Sequence, residues 1–187
     1  MSGNKTDNTP DAELFYRLSG EKEKAEAAFT ELYARYGGRV FAYCLRFLGQ
    51  RDEAQDVYQE TFIRFYESAQ KDREMTNVPG YLLKIARNLC LNSKRNKKKM
   101  VEFEDYQSLV LPSTIEKTEF LQLITTAMEM LPDEYREVFV LREYEGLSYA
   151  EIADIVDESL SNVKVRIFRA KQKIREILAP YIGEFSE

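Results

Sequence analysis

Apolar residues recur along this chain at three- and four-residue spacing, which predicts amphipathic helices. Met1 to Pro10 is polar and expected to fray. From about Asp11 the pattern turns helical. Leu14, Phe15 and Leu18 mark one or two turns, and Ala25, Ala28, Phe29, Leu32 and Tyr36 one face of a longer helix. Gly37 and Gly38 are expected to interrupt that helix before Val40, Phe41, Cys44, Leu45 and Leu48 form the next apolar face, ended by Gly49. From Asp52 to Ala69 the predicted buried stripe is Ala54, Val57, Tyr58, Thr61, Phe62, Phe65 and Tyr66, which leaves Asp56, Gln59 and Glu60 on another face. Residues Gln70 to Val78 have no apolar period and read as a loop. Pro79, favoured in a first turn, then opens a helix that turns Tyr81, Leu82, Ile85, Leu89 and Cys90 inward and Lys84, Arg87, Asn88, Asn92 and Arg95 outward.

From about Lys97 to Ile115 no period is sustained, and the stretch reads as a linker. A second helical unit follows, with Phe120, Leu121, Ile124, Met128 and Leu131 on one face. Pro132 then starts a helix carrying Tyr135, Val138, Phe139 and Tyr144, ended by Gly146. Beyond it Ser148 and Glu151 form the pattern of a capping box ahead of Ile152, Ala153, Ile155 and Val156. Asp157 and Glu158 make a polar turn, and Ser159 is placed to cap a helix on which Leu160, Val163, Ile167, Ala170 and Ile174 recur at helical spacing. The expected architecture is all-α: two small helical domains joined by a flexible linker, the second ending in a helix-turn-helix.

Charge sharpens this picture. The net charge is −5, from 27 Lys and Arg against 32 Asp and Glu, which by itself argues against a polyanion as partner. Mapped along the chain it argues the reverse. Met75 to Val101 holds seven cations and no acid, and Ser159 to Arg175 holds six cations and no acid, so the remaining chain carries 14 of the 27 cations against all 32 acids. Such segregation predicts two basic surfaces for nucleic acid and an acidic remainder that repels it. A short helix packed behind a longer basic one suits the DNA major groove, with cations on phosphates and a few side chains on base edges.

Other classes fit less well. There is no histidine, Cys44 and Cys90 lie far apart, and no glycine-rich phosphate loop occurs, so the sequence predicts no metal site, no cofactor and no enzyme. Nothing resembles a signal peptide or membrane span, which places the expected site of action in the cytoplasm.

The order DEAQDVYQETFIRFY, PGYLLKIARNLCLNSKR, a linker, then LPDEYREVFVLREYEGLSYAEIADIVDESLSNVKVRIFRAKQKIR resembles the bacterial RNA polymerase sigma factors of the extracytoplasmic-function (ECF) group of the sigma-70 family. The resemblance runs from about residue 23 to 178. It implies an N-terminal segment (1–22), a region 2 domain (23–97) that binds polymerase core and the minus-ten element, a linker (98–116), and a region 4 domain (117–180) that binds the minus-thirty-five element. Within DVYQETF, Asp56, Gln59 and Glu60 match the motif that faces the clamp helices of the largest polymerase subunit. Asn88 matches the position that reads an unstacked minus-ten base, an amide suiting the task because it offers both donor and acceptor. Lys84, Arg87, Asn92 and Arg95 accompany it on the opened strand. Tyr81 stands where tryptophan is frequent.

In the hairpin, Asn162, Lys164, Val165, Arg166, Phe168 and Arg169 fall where the family contacts minus-thirty-five DNA, Val165 replacing a frequent serine and Asn162 a frequent threonine. Asp157 stands where many relatives have glycine. Glu158, unusual beside a DNA-binding helix, is expected to face solvent or a partner. Family members are commonly held by an anti-sigma factor, so such a partner is implied with polymerase core and promoter DNA. The competing reading is a helix-turn-helix regulator that is not a polymerase subunit; it leaves DVYQETF and the first basic segment unexplained.

Overall fold

A computed structural model describes residues 9–71, 75–101 and 117–182. Among them the chain forms eight helices and no strand: α1 (Asp11–Arg17), α2 (Lys22–Leu48), α3 (Arg51–Ala69), α4 (Val78–Val101), α5 (Lys117–Glu129), α6 (Asp133–Glu143), α7 (Tyr149–Val156) and α8 (Leu160–Ile182). The expected helical periods are thus present, and α4 runs four residues past the predicted domain end at 97. Most of the predicted linker lies outside the described residues.

Helices α1 to α4 form the first unit. Its core is aromatic: Phe15 meets Phe65, Phe62 meets Phe29 and Tyr58 edge-on, and Tyr43 stacks on Phe47. Rings in edge-to-face geometry add modestly to the area they bury. The predicted break at Gly37 and Gly38 does not occur, since α2 runs unbroken through both. Gly37 instead lets α3 come close, because a Cβ there would stand 2.9 Å from the Tyr58 hydroxyl. Its helical cost of about 1 kcal/mol is offset by that approach. In α3 the buried stripe is as read except for Tyr66, which is 40% exposed, as is Ile63 at 53%. The loop before α4 ends in an Asn77 side chain that accepts from Gly80 N at 3.0 Å, so helix starts by Val78, one residue ahead of Pro79.

Helices α5 to α8 form the second unit, around Val138, Leu141, Ile152, Ile155, Val163 and Ile167. The Arg136 guanidinium is buried there and satisfied by carbonyls: it donates to Met128 O at 2.7 Å, to Leu131 O at 3.2 Å, to Glu129 O, and across to Phe47 O of α2 at 3.0 Å. Burial holds its pKa below the ordinary value. The two helical units, separated by the linker, also touch each other. Helix α6 packs on α2 and α7 on α4, and the buried apolar residues of both belong to one cluster.

One buried polar atom in this core lacks a hydrogen-bond partner among the described residues: the hydroxyl of Tyr43, whose side chain is fully enclosed. An unsatisfied buried hydroxyl costs about 1 to 3 kcal/mol. Tyr43→Phe should therefore stabilise the chain by about 1 kcal/mol, read as a higher urea midpoint at unchanged slope. A lower midpoint would show that the hydroxyl is bonded.

Candidate nucleic-acid interface

The helix-turn-helix is built as its caps require. Ser148 Oγ accepts from Glu151 N at 3.2 Å and the Glu151 carboxylate accepts from Ser148 N at 2.8 Å, a complete capping box on α7. The same hydrogen bonds hold the Glu151 carboxyl below its ordinary pKa. Ser159 Oγ accepts from Asn162 N at 3.2 Å at the start of α8. Between the helices Asp157 adopts φ 57°, ψ 49°, the only positive-φ residue other than glycine among the described residues. A left-handed residue there lets the Asp157 N–H close on Ala153 O and turns the chain toward α8.

Helix α8 buries Val163, Ile167 and Ala170 against its own unit. That rotation leaves Asn162, Lys164, Val165, Phe168 and Arg169 on the outside, with Phe168 68% and Val165 44% exposed. Arg169 Nη1 lies 3.4 Å from the Tyr135 hydroxyl, at the edge of this face. Arg166 departs from the expected outward direction. It turns back, with Nη2 at 2.5 Å from Glu158 and Nη1 at 3.5 Å from Glu137, because its place beside Ile167 puts it at the seam with α6. Glu158 likewise does not simply face solvent: it accepts from Asn162 Nδ2 at 3.0 Å and from Arg166, and these contacts, Asn162 first, keep it below its ordinary pKa.

The basic face of α4 divides in two. Asn88, Asn92 and Arg95 are exposed as predicted. Asn88 lines a cleft of about 460 Å³ between α3 and α4, shared with Tyr81, Ile85, Ser68 and Lys71 and bordered by Glu60, Arg64 and Glu67 of α3. The cleft offers an amide and an aromatic ring to one guest, which is what a base pulled from its stack requires. Residues 72–74 of the loop before α4 lie outside the described residues. Lys84 and Arg87 differ from the expectation. The Arg87 guanidinium forks onto Glu137 of α6 at 2.7 and 3.2 Å, and Lys84 Nζ donates to Asp154 O of α7 at 3.1 Å. They face the second unit because α7 packs directly on α4, a contact between residues some 70 positions apart in sequence.

On α3, Asp56 and Gln59 are exposed, and Glu60 is held by Arg64 at 2.7 Å one turn on. The periodic reading did not anticipate the apolar neighbours of this patch. Ile63 and Tyr66 are exposed beside it and, with Tyr33, Phe29 and Gln59, line an open cleft of about 1170 Å³. The signal was available in the α3 pattern, where Ile63 falls outside the buried stripe.

Two basic helices in two packed helical units, one of them a capped helix-turn-helix, have the features of a DNA-binding protein. Residues 32–100 match the family Sigma-70 region 2, and residues 121–174 match Sigma-70, region 4. The ECF RNA polymerase sigma factor SigE of Mycolicibacterium smegmatis is 32% identical over 173 residues, spanning 88% of this chain and 67% of the relative. SigW of Bacillus subtilis, also an ECF RNA polymerase sigma factor, is 30% identical over 177 residues, spanning 87% and 95%. Two solved structures share the fold. The sigma factor RpoE of Bartonella quintana, in complex with the anti-sigma factor NepR, gives a TM-score of 0.68 at 22% identity over 81% of this chain and 96% of that one. CnrH, in complex with the cytosolic domain of CnrY, gives 0.67 at 23% identity over 91% and 99%. The chain belongs to the ECF group of the sigma-70 family, and its work is promoter-directed initiation of transcription.

The left-handed turn residue is a direct handle on the hairpin. A β-branched side chain at this φ costs about 1 to 2 kcal/mol. Asp157→Val should lower stability by that amount, whereas Asp157→Gly, which relieves the strain, should leave it equal or higher. Thermal melts of the two variants decide this; equal melting for valine and glycine would remove the strain argument.

Proposed function

We propose that this factor docks on the clamp helices of the polymerase core through Asp56, Gln59 and Glu60 of α3, takes a minus-ten base into the α3–α4 cleft at Asn88, and reads the minus-thirty-five element with the exposed face of α8. The observation that carries this reading is the set of surfaces the chain presents. Asp56 and Gln59 are exposed on α3, the Asn88 cleft adjoins them through Glu60, and the α8 face lies on the other unit, so the chain offers a polar patch, a cleft and a basic face, each with chemistry suited to one of the three ligands. A regulator that used α8 alone would have no use for the first two. The factor itself performs no bond-making chemistry; it positions the polymerase, and it does so in the cytoplasm.

At the core-binding patch the polar trio sets orientation while Ile63 and Tyr66 supply apolar area. On the strand side, Tyr81 stacks on the captured base, Asn92 and Arg95 hold the backbone beside it, and Lys84 and Arg87 join them once free of the second unit. On α8, Asn162 touches DNA from the edge of the turn, and Val165 and Phe168 are placed to meet thymine methyls. Arg166 serves the reading face by bracing the helix against Glu137 and Glu158. An anti-sigma protein is the implied regulator, since the solved structure of RpoE, which shares this fold, is of its complex with the anti-sigma factor NepR.

Asp56→Lys with Glu60→Lys reverses the charge of the α3 patch without touching the core. The expected result is weaker competition for polymerase core at unchanged helicity and melting temperature. Wild-type competition would sink the assignment.

On α8, Lys164 and Arg169 are five positions apart, about 500 degrees or about 140 degrees after one turn, so they cannot address the same base. Lys164, near the end that enters the groove deepest, is assigned to base readout, and Arg169, at the edge beside Tyr135, to phosphate. Lys164→Ala should cost about 1 to 3 kcal/mol and relax preference at one promoter position, while Arg169→Ala should weaken all sequences alike and lower the salt slope by about one unit. Binding of both variants to single-base promoter changes at two salt concentrations separates them. Wild-type profiles for both would remove the reading face.

A further inference from the structure

We infer that Glu158 is a positioning residue for promoter specificity: by holding the Asn162 amide through its nitrogen, it turns the amide oxygen to the DNA and selects a minus-thirty-five base that carries an exocyclic amine, adenine or cytosine, over guanine or thymine. The inference rests on the proposed role of the outer face of α8 in reading that element. Glu158 accepts from Asn162 Nδ2 at 3.0 Å with Oε2 and from Arg166 Nη2 at 2.5 Å with Oε1, so each carboxylate oxygen has its own partner. Arg166 is anchored in turn, with Nη1 3.5 Å from the Glu137 carboxylate, whose side chain is 3% exposed. The Glu158 carboxylate is thus fixed from inside the unit, and the Asn162 amide is fixed from the carboxylate. Asn162 N is tied as well, to Ser159 Oγ at 3.2 Å.

A carboxamide has one donating end and one accepting end, and an ionised carboxylate only accepts. Facing Glu158, Asn162 has to present Nδ2 to it, which leaves Oδ1 as the end turned away on an exposed residue. The contacts with Asn162 and Arg166 hold Glu158 below its ordinary pKa, so it remains an acceptor at neutral pH. Asn162 is the third residue of α8, in the turn that enters the groove when a recognition helix docks by its N-terminal end. In the major groove adenine N6 and cytosine N4 donate, whereas guanine O6 and thymine O4 accept. An asparagine free to turn addresses adenine with both ends. This one has committed its donor to Glu158 and meets a base through Oδ1 alone. A keto oxygen at the same place faces two acceptors, Oδ1 and the carboxylate behind it, and neither can satisfy it. The Glu158 and Asn162 side chains therefore act as one reading unit.

Holoenzyme reconstituted from the full chain and purified polymerase core, selecting from a duplex library randomised across the minus-thirty-five element, tests the pairing. The wild type should enrich adenine or cytosine about tenfold over guanine and thymine at one position of one strand. Asn162→Ala should flatten that position while the rest of the element keeps its profile, and Glu158→Ala should flatten it too. Glu158→Gln should invert it. The new amide keeps Arg166 with its oxygen and turns its nitrogen to Asn162, which then accepts with Oδ1 and presents Nδ2 to guanine or thymine. In the Asn162→Ala background, Glu158→Gln should leave base preference unchanged. A guanine or thymine preference of the wild type at the Asn162-dependent position would overturn the inference, as would a wild-type profile for Glu158→Gln or an effect of Glu158→Gln that persists without Asn162. A position that follows Lys164→Ala but is blind to Asn162 and Glu158 overturns this inference alone. If Asn162→Ala, Lys164→Ala and Arg169→Ala all leave selection and affinity unchanged, the reading face falls and the inference with it.

Discussion

The Glu137 carboxylate is the constraint around which the two units are set. Taking a carboxylate out of water costs several kcal/mol unless opposite charge and hydrogen bonds replace the lost solvation. Burial pushes its pKa up, and Arg87 followed by Arg166 pulls it back. Its two partners come from different places: Arg166 from α8, the second helix of the helix-turn-helix, and Arg87 from α4 of the other unit. One buried anion therefore fixes the seam of α8 on α6 and also the approach of α6 to α4. The enclosed Tyr43 and the carbonyl-bound Arg136 add further buried polar groups to the same core.

Periodicity made the helices legible because each unit buries one stripe per helix, and Val163, Ile167 and Ala170 or Val57, Phe62 and Phe65 could be read by spacing alone. Caps were legible for the same local reason, since Ser148 and Glu151 meet within one turn. Long-range facts were not. Gly37 reads as a breaker until Tyr58 is seen 2.9 Å from where its Cβ would lie, and that neighbour is 21 positions away on another helix. Arg87 and Lys84 read as outward because the helix period gives a direction relative to their own helix and says nothing of what a second unit lays over it. The family motifs, being contiguous, carried the identity of the chain, whereas the contacts that close it are spread over α2, α4, α6 and α7.

The charge map gains a second meaning from these contacts. Segregating cations into α4 and α8 favours a polyanion, but it also gives the acidic remainder something to bind within the chain. Isolated exposed pairs contribute little, about 0 to 1 kcal/mol each. The pairs that join the units are in part buried, and buried partners are not easily separated by salt alone. Net charge is silent on this distinction, because −5 is the same whether the acids face water or the arginines of a neighbouring helix.

Helix α8 shows how packing decides what a DNA-facing helix can offer. Val163, Ile167 and Ala170 recur at four and three residues and lock one face inward, while Arg166 on one flank and Lys171, 2.8 Å from Glu143, on the other tie the helix to α6. With both flanks held, rotation by even one position, about 100 degrees, would bury Phe168 and lift Ile167 into water. The exposure of an aromatic ring and a valine on a cationic helix is thus imposed by the inner face and held by the flanking ion pairs. The proposed reading surface is held in place because the side chains behind it leave the helix a single orientation.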